Sequence, residues 1–166
     1  MYVDARIVHQ SVKHFHPRKG AMFILDETDH AILGELRRDA RSSMTAIADS
    51  VHISRAGAHA RIKRLTDAGV IAGYSVRTDP VLLGHHASAY VTLAIEQATW
   101  QDVSARLRKI PEIEHMALVG GDFDVILLVR ATDARDLRRI VLEDIQAIPS
   151  IRSTRTTLIF EDFTLG

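Results

Sequence analysis

The sequence predicts an α+β protein with two domains, a helical N-terminal domain containing a helix-turn-helix and a C-terminal domain of order β-α-β-β-α-β. Apolar residues recur at helical spacing in the first half, they alternate in the second half, and a turn sequence is repeated there. The 166 residues suffice for two small cores. We expect an N-terminal arm at 1–24, a helix-turn-helix domain at 25–72, a linker strand at 73–84 and the β-α-β-β-α-β domain at 85–166.

Composition excludes several classes of protein. The apolar share of 46% and the charged share of 25% are near the globular average, which excludes wholesale disorder. The 21 basic and 21 acidic residues cancel, so the chain has no uniformly basic surface. Without cysteine it has no disulfides, thiolate catalysis or cysteine-ligated zinc. No apolar run reaches the roughly 18 residues of a membrane span, and residues 1–20 lack a secretory signal, so we expect a cytoplasmic protein without a membrane partner.

Three short helices are predicted between residues 25 and 72, each after a residue that can cap it. Asp26 can cap the first helix, which ends near Asp39, Ser43 can cap the second, and Ser54 the third, which stops before Gly69. The connection between the second and third helices is very short, as in a helix-turn-helix. The apolar stripes of the three helices are Ile32, Leu33 and Leu36; Met44, Ile47, Ala48 and Val51; and Ala58, Ile62 and Leu65.

The segments on either side of these helices carry weaker patterns. Residues 1–24 contain three histidines and too few apolar residues for a core, so we interpret them as an arm. After the third helix, apolar residues from Val70 to Val76 suggest an extended segment that ends at Asp79 and Pro80. We therefore predict a strand in the linker.

Alternation begins after Gly84, where Ala89, Val91, Leu93 and Ile95 share one face of a strand. Thr99 opens a helix with Asp102 at the capping-box position, and Pro111 ends it. The remaining elements are predicted as strands at 113–119, 123–130 and 151–160, with a helix at 133–148.

A repeated turn joins each helix of this domain to the strand that follows it. Ile110-Pro111-Glu112-Ile113 recurs as Ile148-Pro149-Ser150-Ile151. Two β-α-β halves joined in this way give a ferredoxin-like fold.

The predicted strand at 123–130 indicates association with another chain. Val125, Leu127 and Val129 lie on one face and Ile126 and Leu128 on the other, but two helices cover only one face of such a sheet. An uncovered apolar face favours aggregation, so we expect a partner subunit to cover it. The sequence thus predicts a homo-oligomer, a dimer or larger.

The third helix carries the pattern of a DNA-reading helix. Seven of nine charged residues from Arg37 to Arg64 are basic, and small residues lie opposite the buried stripe, where a helix backbone approaches base edges. Arg61 lies nearer the buried side, where an ion pair or a phosphate contact is expected. A plain surface helix and a protein-docking unit are the alternatives. The candidate DNA-binding residues are Ser54, Arg55, Ala56, Gly57, His59, Ala60, Lys63 and Arg64.

A set of residues spread through both predicted domains comprises Leu25-Asp26, Asp29, Ile32-Leu33, Leu36, Asp39-Ala40-Arg41, Ile47-Ala48, Ile53-Ser54, Arg61-Ile62, Leu65, Gly69-Val70-Ile71, Gly73-Tyr74, Gly121-Asp122-Phe123-Asp124 and Thr154-Arg155-Thr156. With these residues the chain resembles the Lrp/AsnC, or feast/famine, family of transcriptional regulators over about residues 25 to 162. The resemblance implies a winged helix-turn-helix, a strand-bearing linker and a ferredoxin-like sensing module that dimerises, often forms octamers and commonly binds amino acids between subunits. Ala56, Gly57 and His59 depart from the usual reading face, so a target sequence does not carry over.

The glycine-rich loop between the second and third strands is the candidate effector site. Free backbone amides there can receive a carboxylate, while Asp122 or Asp124 can receive an ammonium group. A structural hairpin is the alternative, because such a turn needs glycine regardless of function. By the resemblance, Thr156, Thr157 and Leu158 line the same interface. The remaining candidate effector residues are Val119, Gly120 and Gly121.

Other functions have less support. The sequence contains no nucleophile motif, phosphate-binding fingerprint or metal-spaced triad, so we predict neither an enzyme nor a bound cofactor or metal. A metal sensor would use His85 with His86, or His14 with His16, but neighbours on a strand point to opposite faces. We therefore expect a sequence-specific DNA-binding regulator that a small effector, an amino acid, modulates; a metal-responsive or ligand-independent regulator is the alternative.

Overall fold

A computed structural model describes residues 23–96 and 98–162 of the chain. The described residues divide into two compact units, and the boundary along the chain falls between Val76 and Arg77. Of the expected arm, residues 1–22 lie outside the described part, as do His14 and His16.

The first unit contains the three predicted helices: α1 at Glu27–Arg38, α2 at Met44–Ser50 and α3 at Arg55–Asp67. Each is capped as the sequence predicts. The Asp26 carboxylate accepts a hydrogen bond from the Asp29 N–H at 2.8 Å, and the Ser43 hydroxyl accepts one from the Ala46 N–H at 3.1 Å. The predicted stripes supply most of the core, whose buried apolar residues are Ile32, Leu36, Ile47, Ala48, Ala58, Ile62, Leu65 and Ile71.

The turn between α2 and α3 is tight. His52 adopts a left-handed conformation with φ of 56°, and the Ile53 N–H donates to the Ala48 carbonyl at 3.0 Å. This conformation turns the chain between Ser50 and Ser54, and α3 packs against α2.

The strand predicted at 73–84 is not present. Residues 72–79 form no regular structure, and residues 80–84 form a turn in which the His85 N–H donates to the Pro80 carbonyl at 2.8 Å. A strand needs a neighbour to accept and donate its backbone hydrogen bonds. No described strand pairs with this segment, and Val76 remains 86% exposed.

The second unit has the predicted order β-α-β-β-α-β. Its four strands form one antiparallel sheet in the order β2-β3-β1-β4. The elements are β1 at Ala87–Ile95, α4 at Trp100–Leu107, β2 at Ile113–Leu118, β3 at Val125–Ala131, α5 at Ala134–Arg139 and β4 at Ile151–Leu158.

One face of the sheet packs against the helices. The alternate residues Ala89, Val91, Leu93 and Ile95 of β1 are buried there, as predicted. The two repeated turns also have the same geometry, because the Ile113 N–H donates to the Ile110 carbonyl at 3.2 Å and the Ile151 N–H to the Ile148 carbonyl at 3.0 Å.

In this unit one local prediction was wrong, and one predicted helix is present but changes type along its length. Thr99 precedes α4, but its hydroxyl donates to the Glu96 carbonyl at 2.7 Å, so no capping box with Asp102 forms. The helix predicted at 133–148 changes after Arg139 into a π-helix at Ile140–Ile145. There the Arg139 guanidinium donates to the Asp144 carboxylate, five residues on, at 2.6 Å. That spacing aligns side chains in the wider π turn but not in an α-helix.

Candidate nucleic-acid interface and effector loop

The N-terminus of α3 is built by Ser54 and Gly57. The Ser54 hydroxyl accepts a hydrogen bond from the Gly57 N–H at 3.0 Å. A Cβ atom added to Gly57 would lie only 3.2 Å from the Ser54 oxygen. Glycine therefore leaves room for the cap, and the Ser54 hydroxyl keeps its hydrogen free to donate to another group.

The remaining candidate DNA-binding residues lie along the exposed side of α3. Ala58, Ile62 and Leu65 face the core, so the opposite side of the helix is open to solvent. Gly57 is half-buried beside its cap. The exposed candidates are Ser54, Arg55, Ala56, His59, Ala60, Lys63 and Arg64.

One edge of α3 is anchored to α1 by ion pairs. Arg61 Nη1 donates to Asp26 Oδ2 at 2.7 Å and to Asp29 Oδ1 at 2.8 Å, and Arg64 Nη2 donates to Asp29 Oδ2. The Arg64 guanidinium also stacks 4.9 Å from the centroid of the Phe23 ring. The sequence predicted either an ion pair or a phosphate contact for Arg61, and the structure shows the ion pair. For Arg64, the structure adds an anchoring role that the sequence analysis missed.

Asp29 lies at the centre of this cluster, where its carboxylate accepts hydrogen bonds from both arginines. Its side chain has no exposed surface. Burial alone raises the pKa of the Asp29 carboxyl, but the hydrogen bonds from Arg64 and Arg61 outweigh it and lower the pKa. The bond from Arg61 likewise lowers the pKa of Asp26. Asp29 lies three residues before Ile32 and thus on the apolar stripe of α1. An acidic residue at a position of the apolar stripe is the sequence feature that could have predicted this buried ion pair.

Lys63 is held more weakly. Its ammonium group lies 2.6 Å from the Asp67 carboxylate, but the two side chains are 67% and 62% exposed. A solvated pair at this spacing contributes only a few tenths of a kcal/mol. Lys63 can therefore exchange this partner for another anion.

The loop between β2 and β3 folds back on β1 through Asp124. The Asp124 carboxylate accepts a hydrogen bond from the Ile95 N–H at 2.8 Å, and the Asp124 N–H donates to the Leu93 carbonyl at 2.9 Å. The Val119 N–H donates to the Asp124 carbonyl at 2.8 Å and closes the loop. Asp124 therefore has a structural role, which the sequence could not separate from ligand binding.

The tip of this loop remains open. Gly121 has φ of 138°, which side chains disfavour, and Asp122 is exposed. Among the described residues, no acceptor takes the N–H groups of Gly120, Gly121 and Asp122. A carboxylate and free amides thus lie together at the tip.

The other effector candidates lie elsewhere in the same sheet. Val125 at the end of the loop aligns through Leu93 with Thr154 of β4, whereas Leu158 is four residues farther along that strand. At strand spacings, Leu158 is more than about 15 Å from the loop. The fold therefore does not bring Thr156, Thr157 and Leu158 to the loop within one chain.

The sheet face opposite the helices is uncovered by the described residues. We call it the open face; its register places His115, Leu128, Tyr90 and Thr157 in one row across the four strands and Ala117, Ile126, Thr92 and Arg155 in the next. Tyr90 is 41% exposed, and Ile126 and Leu128 are half-buried between neighbouring strands.

At one end of this open face, Arg130 joins three segments. Its guanidinium donates to Glu114 at 2.8 Å, to Ser88 at 2.9 Å and to Asp162 at 2.6 Å. Burial opposes the charge, but the two carboxylates raise the pKa of Arg130.

Neither a metal-binding cluster nor a membrane-spanning helix occurs within residues 23–96 and 98–162. No three histidine or acidic side chains among them lie close enough together to hold a metal ion. No helix among them has the length and apolar character that crossing a membrane requires.

Each of the two units matches a domain of known proteins. Residues 25–72 match a family model described as a winged helix-turn-helix DNA-binding domain, and residues 88–164 match the Lrp/AsnC ligand binding domain. The HTH-type transcriptional regulator AldR of Mycobacterium tuberculosis is 35% identical over 140 residues, which are 82% of this chain and 78% of that protein.

Solved structures give the same result. The feast or famine regulatory protein of M. tuberculosis, complexed with L-methionine, superposes with a TM-score of 0.79 at 34% identity, over 86% of this chain and 96% of that chain. The AsnC structure from E. coli shares the fold, with a TM-score of 0.78 at 22% identity over 87% and 97% of the two chains. The matched relatives are regulators, which points to a regulator and not to an enzyme. This chain therefore belongs to the Lrp/AsnC family of DNA-binding transcriptional regulators.

Proposed function

We propose that this regulator binds specific sites in duplex DNA through α3, and that an amino acid bound between subunits of the second unit changes its DNA affinity. The DNA-binding proposal rests on the exposed side of α3, where Ala56 and Ala60 lie between longer polar residues. Small residues allow a helix backbone to approach base edges in the major groove.

The charges around α3 support contact with the phosphate backbone. Lys63 can leave its solvated pair with Asp67 for a phosphate oxygen, and the Ser54 hydroxyl can donate to another at the helix N-terminus. Arg64 contributes positive charge at the same surface while Asp29 holds it in place. These contacts fix the position of the helix, and base contacts then select the sequence.

We place the effector at the tip of the loop between β2 and β3. The amides of Gly120 and Gly121 suit a carboxylate, and Asp122 suits an ammonium group. Asp124 supports the loop through its bond to the Ile95 N–H. The L-methionine complex of the M. tuberculosis relative supports an amino acid as the effector class.

A second subunit completes this site. Since Thr156, Thr157 and Leu158 are remote from the loop in one chain, we propose that a neighbouring subunit supplies them. The open face provides one contact surface for assembly, because Ile126 and Leu128 lie on it with Tyr90. The proposed homo-oligomer is a dimer or a larger assembly. An effector held between subunits can change their geometry and so the spacing of paired α3 helices.

Two binding measurements test this function. Gel-shift assays against genomic fragments should show a set of tightly bound fragments, whereas equal binding to all of them would contradict sequence-specific recognition. Repeating the titrations with a panel of amino acids should change the affinity for at least one of them.

The effector site is tested by calorimetry with the same panel. Asp122→Asn should weaken binding of the active amino acid by at least about tenfold, because it removes the charge that faces the ammonium group. Asp102→Asn, an exposed change on α4, is the matched control and should have no effect. If no amino acid of the panel releases or absorbs heat on titration, the loop is a structural hairpin and not an effector site.

A further inference from the structure

The two edges of α3 differ in whether their long side chains are already bound. At roughly 100° per residue, Ala56 and Ala60 point away from the core, with Arg55, His59 and Lys63 on one side and the arginines at 61 and 64 on the other. Lys63 already forms its solvated pair with Asp67. We call Arg55 and His59 the free edge, and the two arginines the anchored edge.

The anchored edge has little freedom to read bases. Arg61 and Arg64 both donate to Asp29, whose carboxylate is fully buried, and Arg64 also stacks on Phe23. Moving either guanidinium to a base edge would leave the buried carboxylate with fewer donors, which is costly away from water. These arginines therefore hold α3 in place.

The free edge has no such constraint. Arg55 is the first residue of α3 and His59 lies one turn later, and both are exposed. Within residues 23–96 and 98–162, no acidic side chain pairs with either of them. In helix-turn-helix proteins the N-terminal part of the reading helix contacts base edges. In the C-terminal part of α3, by contrast, Lys63 is paired with the exposed carboxylate of Asp67, with which a phosphate would have to compete.

We propose that Arg55 and His59 determine the sequence that α3 selects, and that the anchored arginines do not. Arg55 donates to O6 and N7 of a guanine, His59 donates a ring N–H to N7 of a neighbouring purine, and Ala56 and Ala60 contact thymine methyl groups. The preferred site thus contains guanine and thymine within one major-groove face. This inference rests on the proposed function and adds the chemistry of the bases that α3 reads.

Selection from a random duplex library tests it, with all proteins compared at one salt concentration. Arg55→Ala should lose the preference for guanine at one position by about 10- to 100-fold and leave other positions unchanged. Arg55→Lys should keep part of that preference, because lysine also donates to guanine. His59→Ala should lose a purine preference at a separate position.

Arg37→Ala is the matched control, since it removes an equal charge from an exposed site on α1. It should retain every base preference even if overall affinity falls. If Arg55→Ala weakens all duplexes equally and lowers the salt dependence by about one phosphate contact, Arg55 binds phosphate and the inference is overturned. An unchanged motif in both free-edge variants would also overturn it. If the wild type enriches no motif, the proposed function itself fails.

Discussion

The two units differ in whether their apolar and charged side chains find packing and hydrogen-bonding partners within the same unit. In the first unit three short helices enclose a core, and even the buried carboxylate of Asp29 has its donors within the unit. In the second unit the helices cover one face of the sheet and leave Tyr90, Ile126 and Leu128 on the other. The first unit can therefore hold α3 in place without another chain, whereas the second unit leaves an apolar surface that another chain can cover.

This contrast assigns different physical tasks to similar residues. Arginines of the first unit position a helix, whereas Arg130 of the second joins three segments at the edge of the open face. Damage to the first unit should therefore appear as local unfolding of one subunit. Damage to the open face should appear as loss of association in a folded chain.

The largest expected effect is that of Asp29→Ala on the first unit. It leaves two guanidinium groups without their buried partner and removes half of the capping box. We expect a loss of about 2–4 kcal/mol, because both arginines can regain some water. Hydrogen exchange should show the loss in peptides of α1 and α3 but not in β1 or β3. Asp49→Ala, at an exposed position, is the control. Equal exchange in both variants would mean that the cluster is not structural.

The second effect is on association. Leu128→Asp places a charge on the open face and should raise the dissociation constant of the oligomer at least about 100-fold while the fold persists. Leu142→Asp changes an exposed leucine of the π-helix on the helical side and should have little effect. Sedimentation and light scattering would measure both. Dissociation by the second variant alone would place the subunit contact on the helical side.

Acid should weaken the anchoring of α3. Because the folded state lowers the pKa of Asp29, its ionised carboxylate stabilises the fold above the usual aspartate range, and this contribution disappears as pH falls through the lowered value. The stability difference between wild type and Asp29→Asn should therefore shrink below about pH 4. Denaturation followed through the methyl signals of Ile32 and Ile62 would report it. A constant difference from pH 6 to pH 3 would contradict this assignment.

The smallest effect is expected at the turn before α3. His52 has φ of 56°, which glycine adopts more easily than histidine. His52→Gly should leave DNA binding unchanged and stabilise the first unit by about 0.5 kcal/mol, the relief of backbone strain being partly offset by the greater entropy of the unfolded chain. Denaturation of His52→Gly beside His52→Val, which should destabilise, gives the comparison. A more stable valine variant would mean that the turn changes conformation.

The sequence predicted the elements whose signals are local. Caps such as Ser43 and Ser54 and the alternation in β1 depend on residues a few positions apart, and the structure agrees. Contacts between distant residues could not be predicted in this way. The bond of Arg64 to Asp29 spans 35 residues and that of the Ile95 N–H to Asp124 spans 29, so neither leaves a periodic pattern.

The π-helix and the linker illustrate a second limit. The apolar spacing of residues 140–148 fits an ordinary helix, and the wider turn follows from backbone bonds that side-chain periodicity does not report. The apolar residues between Val70 and Val76 resemble a strand, but a strand forms only beside a partner.

A negative charge introduced on the exposed side of α3 tests whether this helix enters duplex DNA. Ala60→Glu keeps a helix-forming residue at an exposed position, and Ala105→Glu makes the same change on α4. Fluorescence anisotropy with a selected duplex and a scrambled one at fixed salt would measure both. We predict that Ala60→Glu lowers specific binding about to the level of the scrambled duplex, while Ala105→Glu binds as the wild type does. Wild-type affinity in Ala60→Glu would contradict the claim that α3 enters the DNA.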